Sequence, residues 1–411
     1  MILDEARALD AADPLRDYRA RFDLPEGVIY LDGNSLGALP RATADRMAQV
    51  IRGEWGEGLI RSWNPNENGG ADWIGMPQRV GGKIAPLIGA VPDEVIACDS
   101  TSVNLFKLIA ATLRMRPGRK VVLSEPGNFP TDLYMIAGLE AQGLADRRLA
   151  PGERIAEALD GDVALLLLTH VHYKTGAVFD MAALTRAAHE AGALVLWDLS
   201  HSAGAIPVDL EACEADFAVG CGYKYLNGGP GAPAFAYAAR RHHAALEQPL
   251  TGWMGHAAPF AFSDDYAPAT GVDRLLAGTP PILGLAALEC GVALAAEIGI
   301  ERLAAKSREL SEFFRTCLDR LGVDLDLISP TDPMQRGSQL AFRHPEAYAI
   351  CQALIARGVI GDFRDPDILR LGFAPAYVSF EDVARAARHL AEVLETGEWQ
   401  RDEFRERAAV T

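Results

Sequence analysis

A chain of 411 residues, 49% hydrophobic and 23% charged, has the composition of a folded protein and exceeds what one hydrophobic core usually holds, so a larger and a smaller domain are expected. A formal charge of −17 argues against nucleic acid or anionic membrane as a partner, because their phosphates would be repelled over most of the surface. Any anionic substrate must therefore meet a local cluster of cations.

The six cysteines, Cys98, Cys213, Cys221, Cys290, Cys317 and Cys351, show no C-x-x-C spacing, so neither a metal site nor a disulfide framework is expected. Reduced thiols fit a cytoplasmic protein. The acidic residues at the N-terminus and the lack of a long apolar run carry no suggestion of secretion or membrane anchoring.

Short β-rich runs alternate with helical ones through the middle of the chain, which predicts an α/β fold with a mainly parallel sheet covered by helices. A strand at 95–98 precedes a helix over 106–113. A strand at 120–124 precedes a helix over 133–142, and 163–168 is a further apolar strand. The helix over 181–191 feeds a strand ending at Asp198. Next come an apolar strand expected to end at Lys224, and the run 232–237, expected to be antiparallel or near an edge because Pro233 has no amide hydrogen to give a ladder. Past Pro280 and Pro281 an alanine-rich helix over 282–298 leads out of the large domain. Then follow a helix over 301–321, strand-like segments near Leu325 and Leu340, a helix over 348–357 and a last helix over 380–394. The resulting division is 1–50, packing with the small domain; 51–281, the large domain; and 282–411, the connecting helix and a small α+β domain.

Polar residues cluster where these strands end: Asp99-Ser-Thr-Ser-Val-Asn104, Asn128-Phe-Pro-Thr-Asp132, Thr169, Asp198-Leu-Ser-His201 and Tyr223-Lys224. Ligands of open α/β sheets bind at the carboxyl edge, so these groups can line one crevice. A lysine able to form a Schiff base, with an aspartate for a pyridinium nitrogen, is the signature of pyridoxal phosphate, and Lys224 with Asp198 fits it. Thr101 and Ser102 sit where a strand passes into a helix, a place that favours a phosphate. Phe129 can stack on an aromatic ring. Asp132 is either a first-turn helix residue or a contact to the ring's substituents. His201 is either a structural histidine or a partner of the ring's phenolic oxygen, and Tyr223 can serve the phosphate or donate a proton. Arg370, flanked by apolar residues, is expected to fork the substrate carboxylate, with a structural salt bridge as the alternative.

Together these motifs resemble the kynureninase family of fold-type-I, pyridoxal phosphate-dependent enzymes. Tyr30-Leu-Asp-Gly-Asn-Ser-Leu-Gly37 is similar to that family's N-terminal signature, and Trp197-Asp-Leu-Ser-His-Ser-Ala-Gly204, Gly222-Tyr-Lys-Tyr-Leu-Asn227, Gly252-Trp-Met-Gly-His256 and Gly278-Thr-Pro-Pro281 follow in order. The resemblance implies a seven-stranded sheet, hydrolysis of L-kynurenine to anthranilate and L-alanine, and a homodimer with its site at the subunit interface. It makes Lys224 the Schiff-base lysine, Asp198 the partner of the pyridine nitrogen, and Thr101, Ser102, Phe129, Asp132, Thr169, His201, Tyr223, Trp253 and Thr279 cofactor contacts. Which subunit Trp253 and Thr279 serve stays open. Asn34 and Arg370 are expected at the substrate, with Trp63, Asn66 and His256 in the pocket for its ring. Family members that prefer the 3-hydroxylated substrate carry asparagine where this chain has Thr279.

The competing readings are a cysteine desulfurase or aminotransferase of the same fold, or a binding protein without catalysis. A desulfurase needs a reactive cysteine on a mobile loop, whereas Cys351 falls in a helical run and Cys221 on the expected lysine strand.

Overall fold

The structure, a computed structural model, describes residues 2–65 and 71–407. Its larger sheet has seven strands: β1 (Val95–Ala97), β2 (Val121–Ser124), β3 (Asp146–Leu149), β4 (Val163–Thr169), β5 (Leu194–Asp198), β6 (Phe217–Gly220) and β7 (Phe235–Ala238), in the spatial order β1-β7-β6-β5-β4-β2-β3. The pairings among β6, β5, β4, β2 and β3 are all parallel, and β7 runs antiparallel to both β6 and β1. Every residue of β4 is buried, as a strand covered on both faces by helices must be.

Several expectations need correcting. The apolar strand before the lysine stops at Gly220, so Lys224 stands in the turn beyond it and not at the strand's end. The turn frees the lysine backbone from the ladder, which lets the amine reach back over the sheet edge. Strand β7 is antiparallel, as expected, and lies next to the edge strand β1; Pro233 falls two residues before it and takes no ladder position. The helix after β1 begins at Thr101, five residues earlier than its apolar periodicity suggests, since Ser100 caps it by accepting from the Val103 amide at 3.3 Å. Strand β3, Asp-Arg-Arg-Leu, is mostly exposed at the sheet edge and lacks the apolar signal that marked the others.

The C-terminal part carries a four-stranded antiparallel sheet in the order Asp326–Leu327, Gln339–Arg343, Ile368–Gly372, Asp362–Arg364. Helix Ile282–Ile298 meets helix Ile300–Leu321 at an 82° bend, and among the described residues no single helix is long and apolar enough to cross a membrane. The N-terminal segment packs on this part. Helix Ile2–Ala12 packs on Phe380–Thr396, whose first amides are capped by Asp10 at 2.8 and 2.9 Å, and Ile29–Tyr30 pairs in parallel with Val359–Ile360. Helix Arg41–Gln49 packs on Ile282–Ile298.

At the amino end of the sheet, Asp216 is 1% exposed and accepts from the Val195 amide, His189, Arg241 and His242 at 2.7–2.8 Å. Burial alone would raise its carboxyl. The hydrogen bonds from His242, His189 and Arg241 overcome that and hold it at about 2, below the ordinary 3.8. A depressed carboxyl contributes stability that is fully present above the unfolded value and is lost as pH falls through the folded one. Asp216→Asn should therefore lower stability by about 2 kcal/mol at pH 7, and the gap should narrow as pH falls from 3.8 toward 2. Urea midpoints of both chains across that range check it; a gap that does not change with pH would contradict it.

Candidate active site

Thr169 and Asp198 are register partners at the carboxyl ends of β4 and β5, and the turns after β5 and β6 bring His201 and Lys224 above them. The turn that carries the lysine rests on the N-terminal signature. The Gly37 amide donates to the Tyr223 carbonyl at 2.8 Å, and a β-carbon at Gly37 would lie 2.3 Å from the Lys224 carbonyl oxygen, so only glycine fits there.

A cavity of about 150 Å³ opens at this edge, bounded by Ser100, Thr101 and Ser102 on one side, Phe129 and Tyr173 on another, and Thr169, Asp198, His201, Tyr223 and Lys224 around the rest. Lys224 Nζ lies 2.9 Å from His201 Nε2 and 5.5 Å from the centre of the Phe129 ring. Burial lowers the lysine's pKa, and burial followed by the lysine's charge pushes His201 well below its usual range. The imidazole is thereby held neutral beside an amine that gives up its proton more readily than a surface lysine.

Two carboxyl groups are buried here, Asp198 lining the cavity and Asp132 accepting from Thr169. Asp198 accepts from the Ser200 amide at 2.8 Å, yet burial still raises its carboxyl. Asp132 is raised well above the usual range, first by burial and then by the Asp198 charge, and its Oδ2 lies 3.0 Å from Thr169 Oγ1. Asp132 Oδ1 and His201 Nδ1 are buried without a hydrogen-bond partner among the described residues. Such orphans are expensive unless a bound group satisfies them. The set suits pyridoxal phosphate: a helix start with two hydroxyls for the phosphate, an aromatic wall for the ring, a carboxylate for its nitrogen, and an amine for its aldehyde.

The helix start is itself braced. Asp99 stands in the left-handed region at φ 48° and is paired with the fully buried Lys107, which also donates to the Leu275 carbonyl. Lys107 escaped the sequence reading because it lies in an otherwise apolar helical run, although an unpaired lysine there was signal enough. Tyr173 was missed too, although it follows Thr169 closely enough for the strand-end argument to have reached it.

Arg370 is 1% exposed and has the salt-bridge setting that the sequence left open. Its Nε donates to Asp362 Oδ1 at 2.8 Å, its Nη2 to Asp362 Oδ2 and to Ser35 Oγ at 3.0 Å, and its Nη1 to the Tyr173 carbonyl at 2.5 Å. Burial alone would raise Asp362, but the charge and hydrogen bonds of Arg370, with Arg364, hold it below its usual value. Asn34, fully buried, turns its side-chain oxygen to the same guanidinium, 2.9 Å from Nε and 3.1 Å from Nη2.

Other expected residues lie apart from Lys224. Thr279 borders an adjoining cavity of about 500 Å³ that shares Ser100, Thr101 and Tyr223 with the first. Trp253 is 42% exposed and stands edge-on to Phe260. Trp63 stands edge-on to Trp73, and His256 bonds within its own loop, accepting from the Ala258 amide at 2.9 Å and meeting the Asp265 carbonyl at 3.2 Å. None of these three lines the Lys224 cavity. Asn66 lies outside the described residues. Cys221 and Cys351 are 4% and 0% exposed, and burial pushes both thiols up, the opposite of what a reactive thiolate needs.

A model of the kynureninase C-terminal domain matches residues 303–390. Kynureninase from Burkholderia mallei is 51% identical over 99% of both chains, and kynureninase from Deinococcus radiodurans is 50% identical over 96% of each. Among solved structures, apo cysteine desulfurase from Thermococcus onnurineus matches with a TM-score of 0.78 at 20% identity, covering 92% of this chain and 98% of its own. A C-DES variant with glycine covalently linked to its PLP cofactor matches with a TM-score of 0.78 at 18% identity, covering 91% and 99%. At such identities the structural likeness shows the fold alone, that of the fold-type-I architecture.

Proposed function

The chain belongs to the kynureninase family, hydrolases of carbon–carbon bonds that use pyridoxal phosphate, and we propose that the cavity around Lys224 is where L-kynurenine is cleaved to anthranilate and L-alanine. The observation that carries this placement is a buried amine set among two buried carboxyl groups, an aromatic wall and a helix start at one sheet edge. When bound, the cofactor supplies a ring that withdraws electrons from the substrate's α-carbon.

Lys224 is the residue that would hold the cofactor and, once displaced by substrate, would move the α-proton. Its lowered pKa favours the neutral base this needs. Asp198 would hold the pyridine nitrogen, whose positive charge would offset the burial that raises this carboxyl. His201 and Asp132, each with an orphaned atom, would take the ring's substituents. Thr101, Ser102 and Tyr223 would hold the phosphate end, Thr169 would meet the ring beside Asp198 and Asp132, and Phe129 would cover the ring. The Tyr223 phenol, raised by burial first, stays protonated and can donate to the β-carbon that remains in the alanine fragment when its bond to the anthranilate carbonyl carbon breaks. Arg370 and Arg364, which share Asp362 and Ser35, supply the net positive charge for the substrate carboxylate, and closing this space against water strengthens each of these interactions.

A homodimer is part of the same reading. Trp55 and Phe260 are more than half exposed, and an apolar groove of about 410 Å³ runs along Trp55, Trp73, Pro281, Ile282 and Leu283. Surface of this kind is what a second copy would cover. Thr279 borders a cavity that shares Pro281 with this groove, and Trp253 stands edge-on to the exposed Phe260, which fits a role at the partner's cofactor; His256 and Trp63 then belong to the pocket for the substrate ring. We assign the enzyme to the cytoplasm and to tryptophan breakdown, consistent with six unpaired cysteines.

Mixing the cofactor-loaded chain with L-kynurenine should give anthranilate fluorescence and an equal amount of L-alanine, and no anthranilate would overturn the reading. Lys224→Ala should lose both turnover and cofactor fixed by borohydride; unchanged covalent labelling would sink the lysine assignment.

Selectivity follows from Thr279. One short hydroxyl, once engaged by a phosphate, has no second donor for a hydroxylated ring. L-Kynurenine should be preferred over 3-hydroxy-L-kynurenine on the order of tenfold or more in kcat/KM, the effect of one poorly satisfied hydroxyl. Equal efficiencies would shift selectivity to Trp63, Asn66 or His256.

A further inference from the structure

A phosphate brought to the start of helix Thr101–Met115 meets an acid there. Asp99, two residues before the helix begins, borders the cavity of about 500 Å³ together with Ser100, Thr101 and Thr279; among the described residues around that cavity it is the one carboxylate, and none is a cation. The chain's formal charge of −17 offers no general attraction either. Left uncancelled, the Asp99 charge would repel a phosphate at Thr101.

Lys107 cancels that charge from inside the fold. It is 0% exposed, and its side chain runs back toward the helix start, as long side chains on helices do, to donate to Asp99 Oδ2 and to the Leu275 carbonyl. The two acceptors belong to different segments. Asp99 is held at φ 48°, its carbonyl accepts from the Ala234 amide at 2.9 Å, and it sets the place from which Ser100 caps the helix. Leu275 closes the turn Gly271–Leu275, just before Thr279. Two residues on, the Ala277 carbonyl accepts from the Met254 amide at 3.2 Å, and a β-carbon at Gly252 would lie 2.1 Å from its oxygen. One buried ammonium thus joins the helix start to the loops that carry Trp253 and Thr279. Apolar side chains in place of a buried ion pair are often no less stable, so stability alone does not account for a charge at this depth.

We propose that Lys107 is a positioning residue for the cofactor's phosphate: it cancels the Asp99 charge and fixes the helix start against the loop that leads to Thr279. This rests on the reading of the Lys224 cavity as the cofactor site, and adds to it a cation that the phosphate does not touch.

The test titrates the full chain, freed of cofactor, with pyridoxal phosphate and with pyridoxal, and reads the absorbance of the bound aldehyde instead of turnover. Both probes can reach Lys224, and only one carries the phosphate. Lys107→Met should weaken pyridoxal phosphate about tenfold or more and leave pyridoxal within about twofold, the mark of a charge felt by the phosphate alone. Adding Asp99→Asn to that variant should recover part of the preference for pyridoxal phosphate. Asp99→Asn by itself carries the test should Lys107→Met fail to fold. Asparagine tolerates the left-handed backbone and can still accept from Lys107, so the uncancelled ammonium should raise the preference about threefold or more. A preference unchanged in Lys107→Met, an equal loss for both probes, or no gain in Asp99→Asn would overturn the proposal, because the lysine would then be structural only. Thr101→Ala separates the two readings. If its preference drops while that of Lys107→Met does not, the role of Lys107 alone falls; if its preference is unchanged, the phosphate does not sit at this helix start and the site reading falls with it.

Discussion

Everything in this molecule's active region depends on holding ionisable groups out of water at the carboxyl edge of a parallel sheet. Asp198 and Asp132 are 2% and 0% exposed, Lys224 and His201 7% and 3%, and for each of them burial is the largest influence on its proton affinity. A protein interior tolerates such groups only when they are paired or when a ligand completes them. The sheet supplies the rigidity for this: β4 and β5 are buried along their whole length, so Thr169 and Asp198 cannot relax toward solvent. Strain of this sort belongs at functional sites and is offset elsewhere, here by a sheet core and by fully satisfied clusters such as Asp216 with its two histidines and arginine.

The second domain completes the site through charge more than through apolar contact. Arg370 reaches from the small sheet to the Tyr173 carbonyl beside the cavity, and Ser35, from the N-terminal signature, accepts hydrogen bonds from both arginines. The N-terminal segment therefore links three regions, with Gly37 under the lysine turn, Ser35 and Asn34 at the arginine junction, and Ile29–Tyr30 paired with the small domain. A movement of the small domain would carry the arginines with it, which couples substrate recognition to the geometry around Lys224.

Most of the sheet could be read from the chain because its strands are continuous apolar runs and its chemistry falls at their ends. Asp198, His201 and Thr169 are where that logic puts them. Lys224 was located by its glycine-rich turn even though its strand stops at Gly220, since the hydrophobic run does not show where ladder pairing ends. The exposed strand β3 has no apolar alternation to betray it. The arginine junction was only half legible: Arg370 stood out in its apolar strand, but its partner Asp362 lies eight residues away across a turn, and nothing in a linear reading says which of two nearby arginines will be consumed by the aspartate. Thr279, Trp253 and His256 sit on loops whose place at a site depends on what covers them, which periodicity does not report.

The central claim is that the sheet edge is held in an unfavourable electrostatic state that the cofactor relieves, and Asp198 tests it most directly. A carboxyl raised by burial opposes folding at neutral pH, where its unfolded counterpart is ionised without penalty. Replacing it by the isosteric asparagine keeps an acceptor for the Ser200 amide and removes the charge. The urea midpoints of Asp198→Asn and of the unaltered chain, each measured at pH 7 with and without pyridoxal phosphate, give the answer. The account predicts that the variant is the more stable of the two without cofactor and gains less when cofactor is added. A variant less stable without cofactor, or one that gains as much from it, would contradict the claim.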